Sequence, residues 1–253
     1  MRPGWNPTRR NRNAGTKANG LGRDNDFDIP YLRNRSTAYF EQLANPVVVR
    51  RTAGARELVF IVEPVRPGYA YPCTIDDIVA VLAQVPTAHL NLLDYVVLRQ
   101  PTRKQEVHAP VWGRAVWNFE GNGFDGPAIV LEARSLAPYR WGKHVDPESA
   151  RELVRLREDG HEIIHTRRGI EFRPTPASLR NTVLFRTLLH ELGHHVDYWL
   201  REDDGYYLRT LSAREDFAHR YASEAQGRLQ RFALLFDPER MAAEGLQPAW
   251  FTF

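Results

Sequence analysis

Between Thr182 and Trp199 the chain runs without a proline and returns an apolar side chain at Val183, Leu184, Leu188, Leu192, Val196 and Trp199. That spacing keeps one face apolar at the helical period, so a largely buried helix is expected from about Thr182 to Arg201. A buried helix is a costly place for polar groups, yet this one carries His190-Glu191-Leu192-Gly193-His194. Two histidines four apart share a helix face and can converge on one ion, which offsets the cost of burying them. The competing reading is a helix whose histidines are hydrogen-bonded within the core.

The same His-Glu-x-x-His spacing occurs again at His161-Glu162-Ile163-Ile164-His165. Asp159-Gly160 precedes it, two β-branched residues lie inside it, and Arg167-Arg168-Gly169 leads into Ile170-Glu171-Phe172-Arg173, a hairpin pattern. On a strand, residues four apart lie about 13 Å from each other, which zinc bonds of about 2.1 Å cannot span. His161 and His165 are therefore not expected to form a metal site.

A catalytic zinc takes three protein ligands and keeps a position for water. One class of zinc protease supplies a third histidine six residues after the second, with a glycine between. Here those positions hold Leu200 and Asp197, which excludes that class. A downstream carboxylate must serve. The candidates are Asp203 and Asp204, expected on a loop, and Glu215, Asp216 and Glu224 on a second long helix from Ser212 to Phe236. Glu215 is favoured because Ala218 and Ala222 on its face would let the two helices approach closely. Asp216 is rotated by about 100° and Glu224 lies near the opposite face. Ser212-Ala213-Arg214-Glu215 also fits a capping box, which would turn the glutamate back on Ser212, and Asp203 or Asp204 stays open as the alternative ligand. Glu191 would stand beside the metal and act as general base toward a water whose pKa zinc lowers to about 7.

The first half reads as strands. Val47 to Arg51 and Glu57 to Val62 flank a turn, Tyr95 to Leu98 follows, and Val111 to Phe119 and Ala128 to Ala133 flank the Gly121-Asn122-Gly123-Phe124-Asp125-Gly126 turn. Thr74 caps a helix over Ile75 to Leu82 that Pro86 stops, and Pro147 to Asp159 is helical. Cys73, in an apolar context, is expected to be a buried thiol. The first 23 residues hold Arg2, Arg9, Arg10, Arg12, Lys17 and Arg23 and no acid, a flexible basic arm taken to residue 35. That arm accounts for the net charge of +3, so a nucleic-acid partner is not expected, and no apolar run suggests a membrane span or a secretory signal. A soluble protein, cytoplasmic or exported by a non-classical route, is the expectation.

His190-Glu191-Leu192-Gly193-His194-His195-Val196-Asp197, then Tyr207-Leu208-Arg209-Thr210, then Glu215-Asp216-Phe217-Ala218 resembles the glutamate-zincin metalloproteases typified by the catalytic domain of anthrax lethal factor. In that family the pattern is His-Glu-x-Gly-His-x-x-Asp, Tyr-Gly-Arg-Thr and Glu-x-Phe-Ala. This chain departs in having Leu208 for the glycine and one more residue between tyrosine and glutamate. The resemblance implies that His190, His194 and Glu215 bind one zinc ion, that Glu191 is the base, and that Tyr207 stabilises the oxyanion, with Tyr206 and His219 as alternatives. It also implies an α+β, zincin-like domain over 36–253, its small mixed or antiparallel twisted sheet packed on the motif helix and followed by the glutamate-bearing helix. Ala128 to Ala133 would be the edge on which an extended peptide docks. Asp197 is expected to orient a ligand or fix a loop, and His195 to be structural. Residues 145–175, a helix plus hairpin, are expected as an insertion that covers the cleft. The function expected is a zinc-dependent endopeptidase acting on a protein or peptide substrate. The competing readings are a metal-dependent amidase on non-protein substrates and a toxin-like, nucleic-acid-binding module with a structural zinc; an intact Glu191 argues against the module.

Overall fold

The structure, a computed structural model, describes residues 42–108, 111–135 and 137–229. The basic arm lies outside the described residues. Val47–Ala53 (β1) and Arg56–Val62 (β2) pair antiparallel from Val47 opposite Val62 to Ala53 opposite Arg56. Gly54 turns between them at φ +58°, a left-handed conformation that costs glycine little. After Tyr69–Ala70 (β3), Thr74 caps Ile75–Leu82 (α1) in a capping box: its hydroxyl accepts from the Asp77 amide, and the Asp77 carboxylate accepts from the Thr74 amide. Thr87–Leu90 (α2), Tyr95–Arg99 (β4), Arg103–His108 (α3), Gly113–Gly121 (β5) and Phe124–Glu132 (β6) follow. Arg134–Ser135 (β7) pairs with β3, and Tyr139–Trp141 (β8) precedes Pro147–Glu158 (α4).

The main sheet runs in the order β1-β2-β4-β6-β5, parallel where β2, β4 and β6 meet and antiparallel at both outer pairs. Side chains alternate across it. Leu58, Phe60, Val96, Leu98, Ile129 and Leu131 enter one core with residues of α1 and of the later helices. Val59, Ile61, Val97, Ala128 and Val130 enter another, on the opposite face. This order corrects one expectation: the strand through Ala128–Ala133 is not an edge. β6 is hydrogen-bonded on both sides, which is why it reads as a continuous apolar run; the edges of the sheet are β1 and β5, and β5 is the one beside β6.

Glu162–Thr166 (β9) and Gly169–Arg173 (β10) form the expected hairpin, with β8 as a third strand on β10. Leu156 of α4 packs on Ile170 and Phe172 there, so the helix and hairpin of 145–175 share a small core with β8. Where Pro174 and Pro176 suggest only a break, Pro176–Arg180 (α5) forms, capped by Thr175. It runs into a π-helical segment, Asn181–Thr187, and then Leu188–Tyr207 (α6). The motif helix is therefore longer than read, and Asp203 and Asp204 fall on α6 and not on a loop. Leu211–Arg228 (α7) begins one residue before Ser212. The remainder of the second long helix, to Phe236, lies outside the described residues. The fold is mixed α/β, compatible with an α+β class. Cys73 is buried, and among the described residues no helix is long and apolar enough to cross a membrane.

Candidate metal centre

α6 turns Leu188, Leu189, Leu192 and Val196 into the core and leaves His190, Glu191 and His194 at a cavity of about 950 Å³ that Glu215 and His219 also line. α7 reaches this point because the helices touch closely: a Cβ on Gly193 would stand 3.0 Å from Ala218 Cα and 3.2 Å from Tyr221 Cβ. Any larger residue at 193 or 218 would push Glu215 away. The cap of α7 is Thr210, whose hydroxyl accepts from the Ala213 amide, so the Ser212–Glu215 box does not form and Glu215 is free to face α6.

The three expected ligands converge. His190 Nε2 lies 3.2 Å from His194 Nε2 and 3.2 Å from Glu215 Oε2, and His194 Nε2 lies 3.6 Å from Glu215 Oε1. Two groups could hold a metal ion, His190 with Glu191 and His194, and His190 with Glu215 and His219. Burial, and then the charge of His190, pushes His194 down to about 4. His219, with its ring centroid 4.4 Å from that of His190, is pushed down to about 4 for the same two reasons. Both rings are thus held neutral, the state that binds a metal. Burial opposes ionisation of Glu215, but the hydrogen bond that it accepts from His190 holds it below the usual carboxylate range.

Glu191 is pushed up to about 7, mainly by burial, with the charge of His190 opposing and that of Glu215 adding to the rise; its carboxylate accepts from the Ala115 amide on β5. β5 lies tightly over this helix, since a Cβ on Gly113 would come 2.7 Å from Thr187 Cγ2 and 3.1 Å from Glu191 Cγ. Trp112 O is taken by the Glu132 amide at 3.1 Å, so by antiparallel alternation Gly113 turns its own N–H and C=O to the free edge beside Glu191.

Tyr207 does not reach the cavity. It is 58% exposed and packs on Tyr198 and Tyr206. Tyr206 is buried, but its hydroxyl stands 3.5 Å from His194 Nδ1, the nitrogen that faces away from the ligand cluster. Of Tyr206, Tyr207 and His219, it is His219 that lines the cavity. Asp197, 0% exposed, pairs with Arg201 at 2.7 Å and with Arg209, and Arg209 also donates to Ala213 O on the first turn of α7. It therefore ties the 208–210 loop and the start of the Glu215 helix to α6. His195 Nε2 donates to Ala128 O at 3.0 Å and its ring meets Trp117 edge-on, a structural role.

The second His-Glu-x-x-His run does not converge. His161 is buried with Nε2 2.9 Å from Thr182 Oγ1, whose hydroxyl donates to Asp159, while His165 is exposed on β9. The cavity wall of Trp112, Arg134, Tyr139, Trp141 and Thr187 carries no sequence motif, and the alternation of Tyr139 and Trp141 is a signal that points to it. No family model matches the chain, and no curated protein or solved structure matches it.

Proposed function

We propose that the chain is a zinc-dependent endopeptidase of the glutamate-zincin type, with His190, His194 and Glu215 as ligands and Glu191 as general base. One observation carries the reading. Donor atoms bound to one tetrahedral zinc at about 2.1 Å stand about 3.4 Å apart; the two Nε2 atoms stand 3.2 Å apart, and the Glu215 carboxylate meets them with Oε2 3.2 Å from His190 and Oε1 3.6 Å from His194. A core histidine pair has no need of a carboxylate at that third corner.

Zinc in this position would supply Lewis acidity to a water and to the scissile carbonyl. The rest of the chemistry belongs to side chains. Glu191, poised at about 7, takes the proton of the attacking water and returns it to the leaving nitrogen. Tyr206 fixes His194, accepting from Nδ1–H so that Nε2 keeps its lone pair for the ion. His219 donates to the developing oxyanion in place of Tyr207. The backbone of Gly113, on the free edge of β5, pairs with an extended peptide next to Glu191.

The test is a proteome-derived peptide library treated with zinc-loaded wild-type protein and with Glu191→Gln. Cleavage by the wild type alone, with one zinc per chain in both proteins by elemental analysis, is the expected result. Equal cleavage by both, or none by the wild type, overturns the proposal.

A further inference from the structure

Four arginines line the cavity, and three of them are neutralised. Arg140 pairs with Glu171 at 2.9 Å, Arg155 with Glu148 at 2.8 Å and Glu152 at 2.9 Å, and Arg186 with Glu152 at 3.0 Å and Asp159 at 2.7 Å. Arg134 has no carboxylate within 4.0 Å among the described residues. Its guanidinium lies 3.9 Å over the Trp112 ring, Nη2 donates to Val111 O, Nε is buried without a partner, and Nη1 has none among the described residues.

Nearby acids are already engaged. Glu132 is shared by Arg99 at 3.1 Å and Arg114 at 4.0 Å, while Glu106 accepts from Tyr69 at 2.9 Å and pairs with Arg66 at 3.3 Å. Glu152 serves Arg155 and Arg186. Glu132, Glu106 and Glu152 attract the Arg134 guanidinium from a distance, but none of them is paired with it, so a buried charge in the cavity wall is left without a carboxylate in direct contact. Its place is also defined. Arg134 rests on Trp112, the residue before Gly113, whose spatial neighbour is Glu191. Arg134 and Glu191 line the same cavity, so one bound peptide can face both.

We propose that Arg134 anchors a substrate carboxylate, so that the cleft selects peptides bearing an aspartate or glutamate side chain, or a free C-terminus, within a few residues of the cleaved bond. The inference rests on the peptidase reading, but binding tests it without turnover. Zinc-loaded Glu191→Gln protein, immobilised, is offered two peptide libraries, one with free and one with amidated C-termini, and the retained peptides are sequenced. Acidic residues enriched about tenfold over their amide counterparts in both libraries assign the side chain. Enrichment confined to the free-acid library assigns the C-terminus. Arg134→Gln in the same background should abolish the enrichment, and Arg134→Lys should keep part of it. No acidic preference in the protein that retains Arg134 overturns the inference, and that outcome does not depend on how any Arg134 variant folds. A failure of the peptidase reading shows separately, as absence of Glu191-dependent cleavage.

Discussion

Glu191 should destabilise the metal-free protein, and removing its charge should reveal by how much. The side chain is 8% exposed, and its pKa rises from 4.5 to about 7, chiefly through burial. An acid whose folded-state pKa lies above its unfolded one binds more protons when folded, so its contribution to stability falls as pH rises. The loss begins near the unfolded value of 4.5 and is almost complete at the folded value of about 7. At about 1.4 kcal/mol per pKa unit, the shift corresponds to about 3 kcal/mol. Glu191→Gln keeps the shape and removes the charge. Denaturant unfolding of the two metal-free proteins should show the variant gaining from near zero at pH 4 to about 3 kcal/mol at pH 8. A difference that stays flat across this range, or a variant less stable at pH 8, would refute the assignment of a desolvated carboxylate.

His219→Ala should lower kcat about 100-fold while the protein keeps one zinc by elemental analysis; loss of the metal would make His219 a ligand and not a donor. Asp197→Asn removes a buried charge shared by two arginines that are 42% and 21% exposed. It should cost about 2–3 kcal/mol in denaturant unfolding and weaken zinc binding in a chelator competition, because Arg209 then no longer holds the first turn of α7. Unchanged stability would show that the pair does not fix this loop.

How far the sequence could be read follows from how local each signal is. β1, β2 and α1 were legible because a glycine turn and a capping box are written within a few neighbouring residues. The choice between the two His-Glu-x-x-His runs was legible for the same reason, since helix and hairpin periods differ over a dozen positions. Glu215 was legible only with the help of Ala218 and Ala222, small residues on its face; that Gly193 is the residue Ala218 meets came from the packing. The exposure of Tyr207 was not legible. Tyr206 and Tyr207 differ by about 100° on a helix, and α6 runs to Tyr207, beyond the Arg201 end that the apolar pattern suggested. Strand order was hidden too, because alternation assigns faces and not neighbours. In retrospect Ala128 to Leu131, apolar on both faces, already described an interior strand. The cavity wall joins β7, β8 and α4 to a helix some 30 or more positions later, and only tertiary packing brings them to one surface.

The tuning of the site needs no separate device for each residue. Burial is the largest influence on Glu191, His194 and His219, and it acts on all three toward the neutral form. Neutral histidines are what a metal ligand requires, and a carboxyl group poised near 7 is what a general base working at neutral pH requires. One cause therefore produces two opposite shifts, each useful. Glu215 is the exception that the scheme needs: burial opposes its ionisation too, but the hydrogen bond that it accepts from His190 outweighs burial and holds it below the usual carboxylate range. It stays ionised, and so supplies the negative charge that a dication demands. If α7 sat further out, the donor separations would open beyond what one ion can bridge. The contact of Gly193 with Ala218 sets this depth, which makes a pair of small residues with no chemistry of their own the geometric control of the proposed reaction.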